Sequence, residues 1–334
     1  MLDRGIVGGY TKLGYLSRRP GWTGDRADPP AGALHGRTAL VTGASSGLGE
    51  ATAIGLARLG ARVHLLVRDA DKGEQIRRRV TGAVPGAAPR VEVCDVGELA
   101  DVRRFASDLL ARVPELHLLV HNAGLLPDQR RETSEGNELT LAVHVLGPHL
   151  LTALLRPALA AAGNAALAGR SNGATHAGGD SRVLFVSSGG MYAQPLKDDD
   201  PQYREGRYNG TAAYARTKRM QVALAGEWAR ELAGTGISVH ALHPGWAATP
   251  GITGSLPGFA RVVGPLLRTP EQGADTAVWL AGAPARAIGT GQFWHDRAPR
   301  PAHYFPHTRE TPAQRARFWA QVQRLAPRHD PATA

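Results

Sequence analysis

Cysteine is nearly absent from this chain: Cys94 stands alone. One thiol excludes an internal disulfide framework and any metal site built from several cysteines, and it makes a cytoplasmic location the expectation. Metal spacing is missing elsewhere too. The 13 histidines form no HExxH motif and there is no CxxC pair, so no metal is expected. Long apolar runs are also lacking. The longest, Leu139 to Leu167, is interrupted by His144, Pro148, His149, Arg156, Pro157 and Asn164, so no transmembrane segment is expected. The N-terminus has no apolar signal core, and export is not expected. Lysine is scarce, with four among the 39 basic residues. The net charge of +10 therefore comes from arginines, which are spread widely among acids. Residues 286–334 carry eight of them against Asp296, Glu310 and Asp330. No zinc finger, helix-turn-helix or aromatic RNA-binding motif accompanies them, so the surplus reads as a solvated basic surface and nucleic acid is not an expected partner.

What is present is ordinary globular material, 334 residues with 43% hydrophobic and 20% charged, enough to bury a sizeable core. Short apolar runs recur from His35 onward: RTALVT (37–42), RVHLLV (62–67), RVEVCD (90–95), LHLLV (116–120), RVLFVS (182–187) and ISVHAL (237–242). Helical stretches separate nearly all of them. Apolar strands spaced by helices predict a parallel sheet covered on both faces, a single-domain doubly wound α/β Rossmann fold. Residues 36–300 form this unit. Residues 1–35 read as an arm, packed on the surface or partly loose. The Gly- and Ala-rich stretch 163–181 reads as a flexible loop, about 250–268 as a substrate lid, and 301–334 as a C-terminal extension with a terminal helix. TPEQ and TPAQ each pair a Thr cap with Pro in the first turn, a good helix start.

The stretch LVTGASSGLGEATAIGLARLG follows the first strand and opens the first helix. Gly43, Gly47 and Gly49 let the backbone turn sharply and approach a pyrophosphate, whose charge meets the helix N-terminus. GASSG also fits the GxSxG nucleophile elbow, with Ser45 as the nucleophile. A hydrolase would need earlier strands and an upstream oxyanion loop, and only the irregular arm precedes this site. Farther on, TAAYARTKRM (211–220) places Tyr214 and Lys218 one helical turn apart. A phenol keeps its proton until pH ~10 in water, and a nearby ammonium favours the phenolate. The spacing alone leaves catalysis and coincidence both open.

Taken together these segments resemble the short-chain dehydrogenase/reductase superfamily. TGASSGLG is similar to its cofactor loop and HNAG (121–124) to its NNAG segment; VSS (186–188), YARTK (214–218) and HPGWAAT (243–249) follow in the family's order. GYTKLGY, SSGGM, QGADT, GQFWHDR and the added length between Ser188 and Tyr214 resemble the family member 12-like and retinol-dehydrogenase-like branch. The resemblance implies an NAD(P)-dependent oxidoreductase. Tyr214 would be its acid or base, Lys218 would depress the Tyr214 pKa and hold the nicotinamide ribose, and Ser188 would bond the substrate oxygen. It implies cofactor contacts from Gly43, Ser45, Ser46, Gly47, Leu48 and Gly49, and from Asp95 and Val96 near the adenine. Asn122, Ala123 and Gly124 would line that side, with Pro244, Gly245, Trp246 and Thr249 towards the nicotinamide or pyrophosphate. Arg68, directly after the second strand, can fork onto a 2′-phosphate, so NADP(H) is expected over NAD(H) even though Asp69 follows. Pairing into a homodimer through the two helices that include the Tyr–Lys helix stays open.

One position departs from the family pattern. In GNELTLAVHVLG (136–147), His144 stands where the family has an Asn that helps hold a relay water. A neutral imidazole can donate and accept, so His144 is expected to serve, slow or stop the relay, and His144→Asn to raise turnover or flatten its pH dependence. Phe259, Val262, Val263, Leu266 and Leu267 make the lid region apolar, which suits a hydrophobic ketone, aldehyde or alcohol, or else core packing. A dinucleotide-binding sensor or scaffold with lost turnover remains the alternative.

Overall fold

Residues 6–171, 181–248 and 263–328 are described by the computed structural model. The chain enters through two short helices, α1 (Ile6–Tyr10) and α2 (Lys12–Arg18). It then alternates: β1 (Thr38–Thr42), α3 (Gly47–Arg58), β2 (Arg62–Val67), α4 (Ala70–Ala83), β3 (Arg90–Val93), α5 (Leu99–Leu110) and β4 (Leu118–His121). After β4 come α6 (Leu139–Leu141), a π-helical turn (Ala142–Leu146), and the long helix α7 (Gly147–Ser171). The second half holds β5 (Ser181–Val186), α8 (Gly210–Glu231), β6 (Ile237–Leu242), α9 (Pro270–Gly282), α10 (Ala285–Ile288), β7 (Phe293–His295), β8 (Ala298–Pro299) and α11 (Pro312–Leu325).

The strands form one sheet in the order β3-β2-β1-β4-β5-β6-β7-β8, parallel except for the final β7–β8 hairpin. Strand side chains alternate between faces, so each apolar run feeds two cores. Leu40, Leu66, Leu119, Val183, Phe185 and Val239 point to one, beneath α5, α7, α8 and α11. Val41, Val63, Leu65, Val120, Leu184 and Leu242 point to the other, beneath α3, α4 and α9. The strand order reverses between β1 and β4. At that point the loops leave in opposite directions and open a crevice at the carboxyl ends of the strands.

The expected loop over 163–181 is helical as far as Ser171, the end of α7, and residues 172–180 lie outside the described residues. The alanines of this stretch favour helix more than Gly163 and Gly169 oppose it, and α7 keeps Pro157 within its length. The stretch Leu139–Ala165 is long and apolar enough by composition to cross a membrane, yet 78% of an apolar 18-residue window within it is buried inside the fold. The arm is packed: Tyr10, Thr11, Tyr15 and Leu34 are buried. Most of the expected lid, together with Thr249, lies outside the described residues. α11 packs against α7 and α8, with Trp319 edge-on to both His149 and Trp228. Thr269 and Thr311 each cap as read, in full capping boxes with Gln272 and Gln314.

Candidate active site

A cleft of about 880 Å³ runs along the carboxyl edge of β1, β2, β3, β4, β5 and β6. It brings together Gly43, Ser45, Ser46, Gly47, Leu48, Arg68, Asp95, Val96, Asn122, Ala123, Gly124, Ser188, Tyr214, Lys218, Pro244, Gly245 and Trp246. Two residues from the sequence reading, Gly49 and His144, are not on its wall. Four strand steps separate Arg68, after β2, from His243, after β6. At roughly 4.8 Å per step the two ends of the cleft are about 20 Å apart.

The glycines are needed for backbone contact. Gly43 has φ +64°, and a Cβ there would lie 2.6 Å from the Cα of Ala123; one on Gly49 would lie 2.6 Å from Asn122 Nδ2. The loop and the NAG turn are also bonded. Asn122 Nδ2 donates to the carbonyls of Thr42 (3.0 Å) and Gly43 (3.2 Å), and the amides of Asn122 and Ala123 donate to Thr42 Oγ1 (both 3.0 Å). Gly49 therefore shapes the loop from behind. Ser46, at the N-cap of α3, makes no side-chain cap, unlike Asp69, Asn209, Thr269 and Thr311 at their helices. The first amides of a twelve-residue helix thus open onto the cleft without an internal partner, a donor set that fits a pyrophosphate.

At the β2 end, Arg68 is 66% exposed and reaches Asp95 Oδ2 only at 3.7 Å. Asp69, also on the cleft wall, caps α4, its Oδ1 accepting from Lys72 N (3.1 Å). Lys72 lines the same end, and the sequence reading missed it. Its signal was available, since it sits one turn beyond the cap.

At the other end, Tyr214 and Lys218 stand on α8 and Ser188 follows β5. Ser187 Oγ donates to Lys218 O (2.8 Å), which fixes α8 against β5. Lys218 Nζ donates to Val186 O (2.8 Å) and Gln221 Oε1 (2.9 Å). Burial pushes the Lys218 pKa down to about 7. For Tyr214, burial raises the pKa and a hydrogen bond with Ser188 opposes it. The Lys218 ammonium, expected to depress the phenol, lies 5.4 Å from its ring centroid, and the Ser188 hydrogen bond lowers the phenol.

His144, expected to serve, slow or stop the relay, bonds protein through both ring nitrogens. Its Nε2 accepts from Leu125 N (3.1 Å), and its Nδ1 lies 2.8 Å from Thr217 Oγ1. Since Nε2 accepts, Nδ1 carries the proton and donates. Thr217 passes its own hydroxyl proton to the Ala213 or Tyr214 carbonyl (3.1 and 3.0 Å). Burial, with Lys218 nearby, holds the imidazole well below its usual range, so it stays neutral. Both nitrogens are committed to protein, and neither is left for a relay water. His121, read as structural, bonds Thr152 Oγ1 at 2.8 Å. Among the described residues no cluster of His, Cys, Asp or Glu could hold a metal ion.

The comparisons agree with this geometry. Residues 37–188 match the family model for short chain dehydrogenase. The chain is 36% identical to dehydrogenase/reductase SDR family member 12 of Bos taurus, across 96% of this chain and 94% of that protein. It is 33% identical to retinol dehydrogenase 14 of Homo sapiens, across 79% and 80%. Among solved structures it is similar to 3-ketoacyl-(acyl-carrier-protein) reductase from Brucella melitensis complexed with NADH. That likeness has a TM-score of 0.59 and 27% identity, and covers 78% of this chain and 96% of the other.

Proposed function

The chain belongs to the short-chain dehydrogenase/reductase family of NAD(P)-dependent oxidoreductases, and on that premise we propose that it reduces a hydrophobic ketone or aldehyde with NADPH, or oxidises the matching alcohol. One observation carries the reading: Ser188, Tyr214 and Lys218 face the same cleft as the uncapped N-terminus of α3. When bound, the reduced nicotinamide supplies hydride. The remaining work falls to the chain. Ser188 holds the substrate oxygen beside Tyr214, and Tyr214 Oη delivers the proton as charge develops there. Lys218 holds the nicotinamide ribose, and an anionic cofactor beside it favours its charged form.

The preference for NADPH rests on the β2 end. Asp69, the residue that would bond ribose hydroxyls, is engaged as the cap of α4, while Arg68 and Lys72 offer positive charge to a 2′-phosphate. The hydrophobic substrate rests on Leu125, Leu126, Trp246 and Ala247 beside Tyr214, and on the retinol dehydrogenase named above.

Parallel equilibrium titrations with NADPH and NADH test the cofactor. Tighter NADPH is expected, and equal or tighter NADH would overturn the choice. Against hydrophobic carbonyls, Tyr214→Phe should lower kcat by about 100-fold or more with NADPH affinity nearly unchanged. A wild-type protein that binds NADPH and turns over none of them favours the sensor reading.

A further inference from the structure

Three segments of the sequence have no part in the chemistry above: GYTKLGY in the arm, QGADT, and WHDR, which ends β7 and turns towards β8. The structure brings all three to one buried place, directly behind the HPGWA loop (243–247). Asp296 and Arg297 form the two-residue turn between β7 and β8, with φ +50° and +55°. Side-chain-bearing residues rarely hold that conformation, and two in succession persist only where surrounding contacts over-determine them. Those contacts are present. Asp296, 2% exposed, takes both Arg268 nitrogens (2.6 and 2.9 Å) and also Arg18 of the arm. Arg297 forks onto Asp275 of QGADT (2.6 and 2.9 Å), bonds Asp28 (2.6 Å), and lies over the Trp22 ring.

The same network ends on the cleft wall. Arg268, 1% exposed, donates to the carbonyls of Gly9, Thr11 and Pro244. Its guanidinium packs where a Gly245 side chain would stand: a Cβ there would be 2.5 Å from Cζ, and Gly245 has φ +78°. The amide of Trp246 donates to Tyr10 O (2.8 Å), Trp246 O accepts from Arg268 N (2.7 Å), and Ala248 N donates to Arg268 O (2.8 Å). The Tyr10 ring stands edge-on to His243, Trp246 and His295.

We propose that the arm, Arg268 and the Asp296–Arg297 turn form a clasp that positions the 243–247 wall, making Arg268, Asp296 and Arg18 positioning residues for the nicotinamide half of the cofactor. This rests on the reading of the cleft as a dinucleotide site. The adenosine half, about 20 Å away at the β2 end, is held by other loops. Loosening the clasp therefore weakens the whole dinucleotide and spares its adenosine fragment. A merely structural role would weaken both alike.

The test is binding of NADPH and of 2′,5′-ADP (NADH and 5′-ADP if the wild type prefers NADH) to wild type, Arg268→Lys and Arg18→Gln. Folding is checked by circular dichroism. Arg268→Lys keeps the charge and loses the fork. Arg18→Gln, nearer the surface, serves if the first variant does not fold. Expected is a loss of about tenfold for the dinucleotide, with the fragment changed less than about twofold. Unchanged dinucleotide affinity in folded variants, or equal losses for both ligands, overturns the clasp alone. A wild type that binds neither ligand overturns the dinucleotide reading, and the clasp with it.

Discussion

At the scale of single residues, His144 shows how a side chain can be chemically suited to a role and spatially unavailable for it. It sits in the π-helical turn Ala142–Leu146, edge-on to the Tyr214 ring at 5.5 Å. One nitrogen is tied to Leu125 beside the cleft and the other to Thr217 on α8. It thus joins the loop after β4 to the helix that carries Tyr214 and Lys218. Asn in its place is shorter and cannot span both partners. Leaving one buried polar group unpaired costs about 1–3 kcal/mol. His144→Asn should therefore lower the melting temperature by several degrees. Because the imidazole is neutral well below pH 6.5, the pH–rate profile below neutrality should superimpose on the wild type's. A profile flattened by the substitution would return His144 to the proton relay.

At the scale of elements, the clearest case is a strand residue that completes a helix. Arg182, the second residue of β5, is 2% exposed, and its guanidinium donates to the carbonyls of Leu280, Ala281 (3.0 Å) and Ala283 (2.6 Å) at the end of α9. The last carbonyls of a helix have no partner within it. Arg182→Leu would strand them in the core, at about 3 kcal/mol. The urea midpoint should fall with an unchanged slope, and an unaltered midpoint would show that water reaches those carbonyls. Nothing about RVLFVS announces this, because the partner is a helix about 100 positions away. What was legible has a local cause. The first six strands follow from apolar-rich runs, the phosphate loop from glycine spacing, and the two Thr-Pro helix starts from cap chemistry. The strands β7 and β8, three and two residues long, are too short to show a period. The arm's packing and the pairing of Arg268 with Asp296 are long-range.

At the scale of the whole molecule, buried histidine decides behaviour in acid. Burial lowers His117 to about 4, with Arg37 and Arg62 adding to the effect, and lowers His121 to about 3. It takes His149 to about 3, with Arg328 adding, and His240 to about 3, with Arg182 adding. His295 falls to about 4, although Asp296 pulls the other way. Each is unprotonated when folded and binds a proton near pH 6.5 when unfolded, so the unfolded state holds more protons between 6.5 and the folded value. Stability is then lost as pH falls through that window, at about 1.4 kcal/mol per unit for each group. Five groups would remove on the order of 10 kcal/mol by pH 5, comparable to the whole stability of a domain. Glu92 and Glu310, which His64 with Arg112 and His303 respectively bring to about 2 despite burial, lose their contributions only below pH 4.5. The histidines therefore act first, and a net charge of +10 that grows on acidification adds self-repulsion. Urea midpoints measured from pH 8 downward should hold to about 6.5 and then drop steeply, with unfolding in buffer before about pH 4. A midpoint still flat at about pH 5 would mean that these histidines take up protons inside the fold, and the neutral core described for them would have to be abandoned.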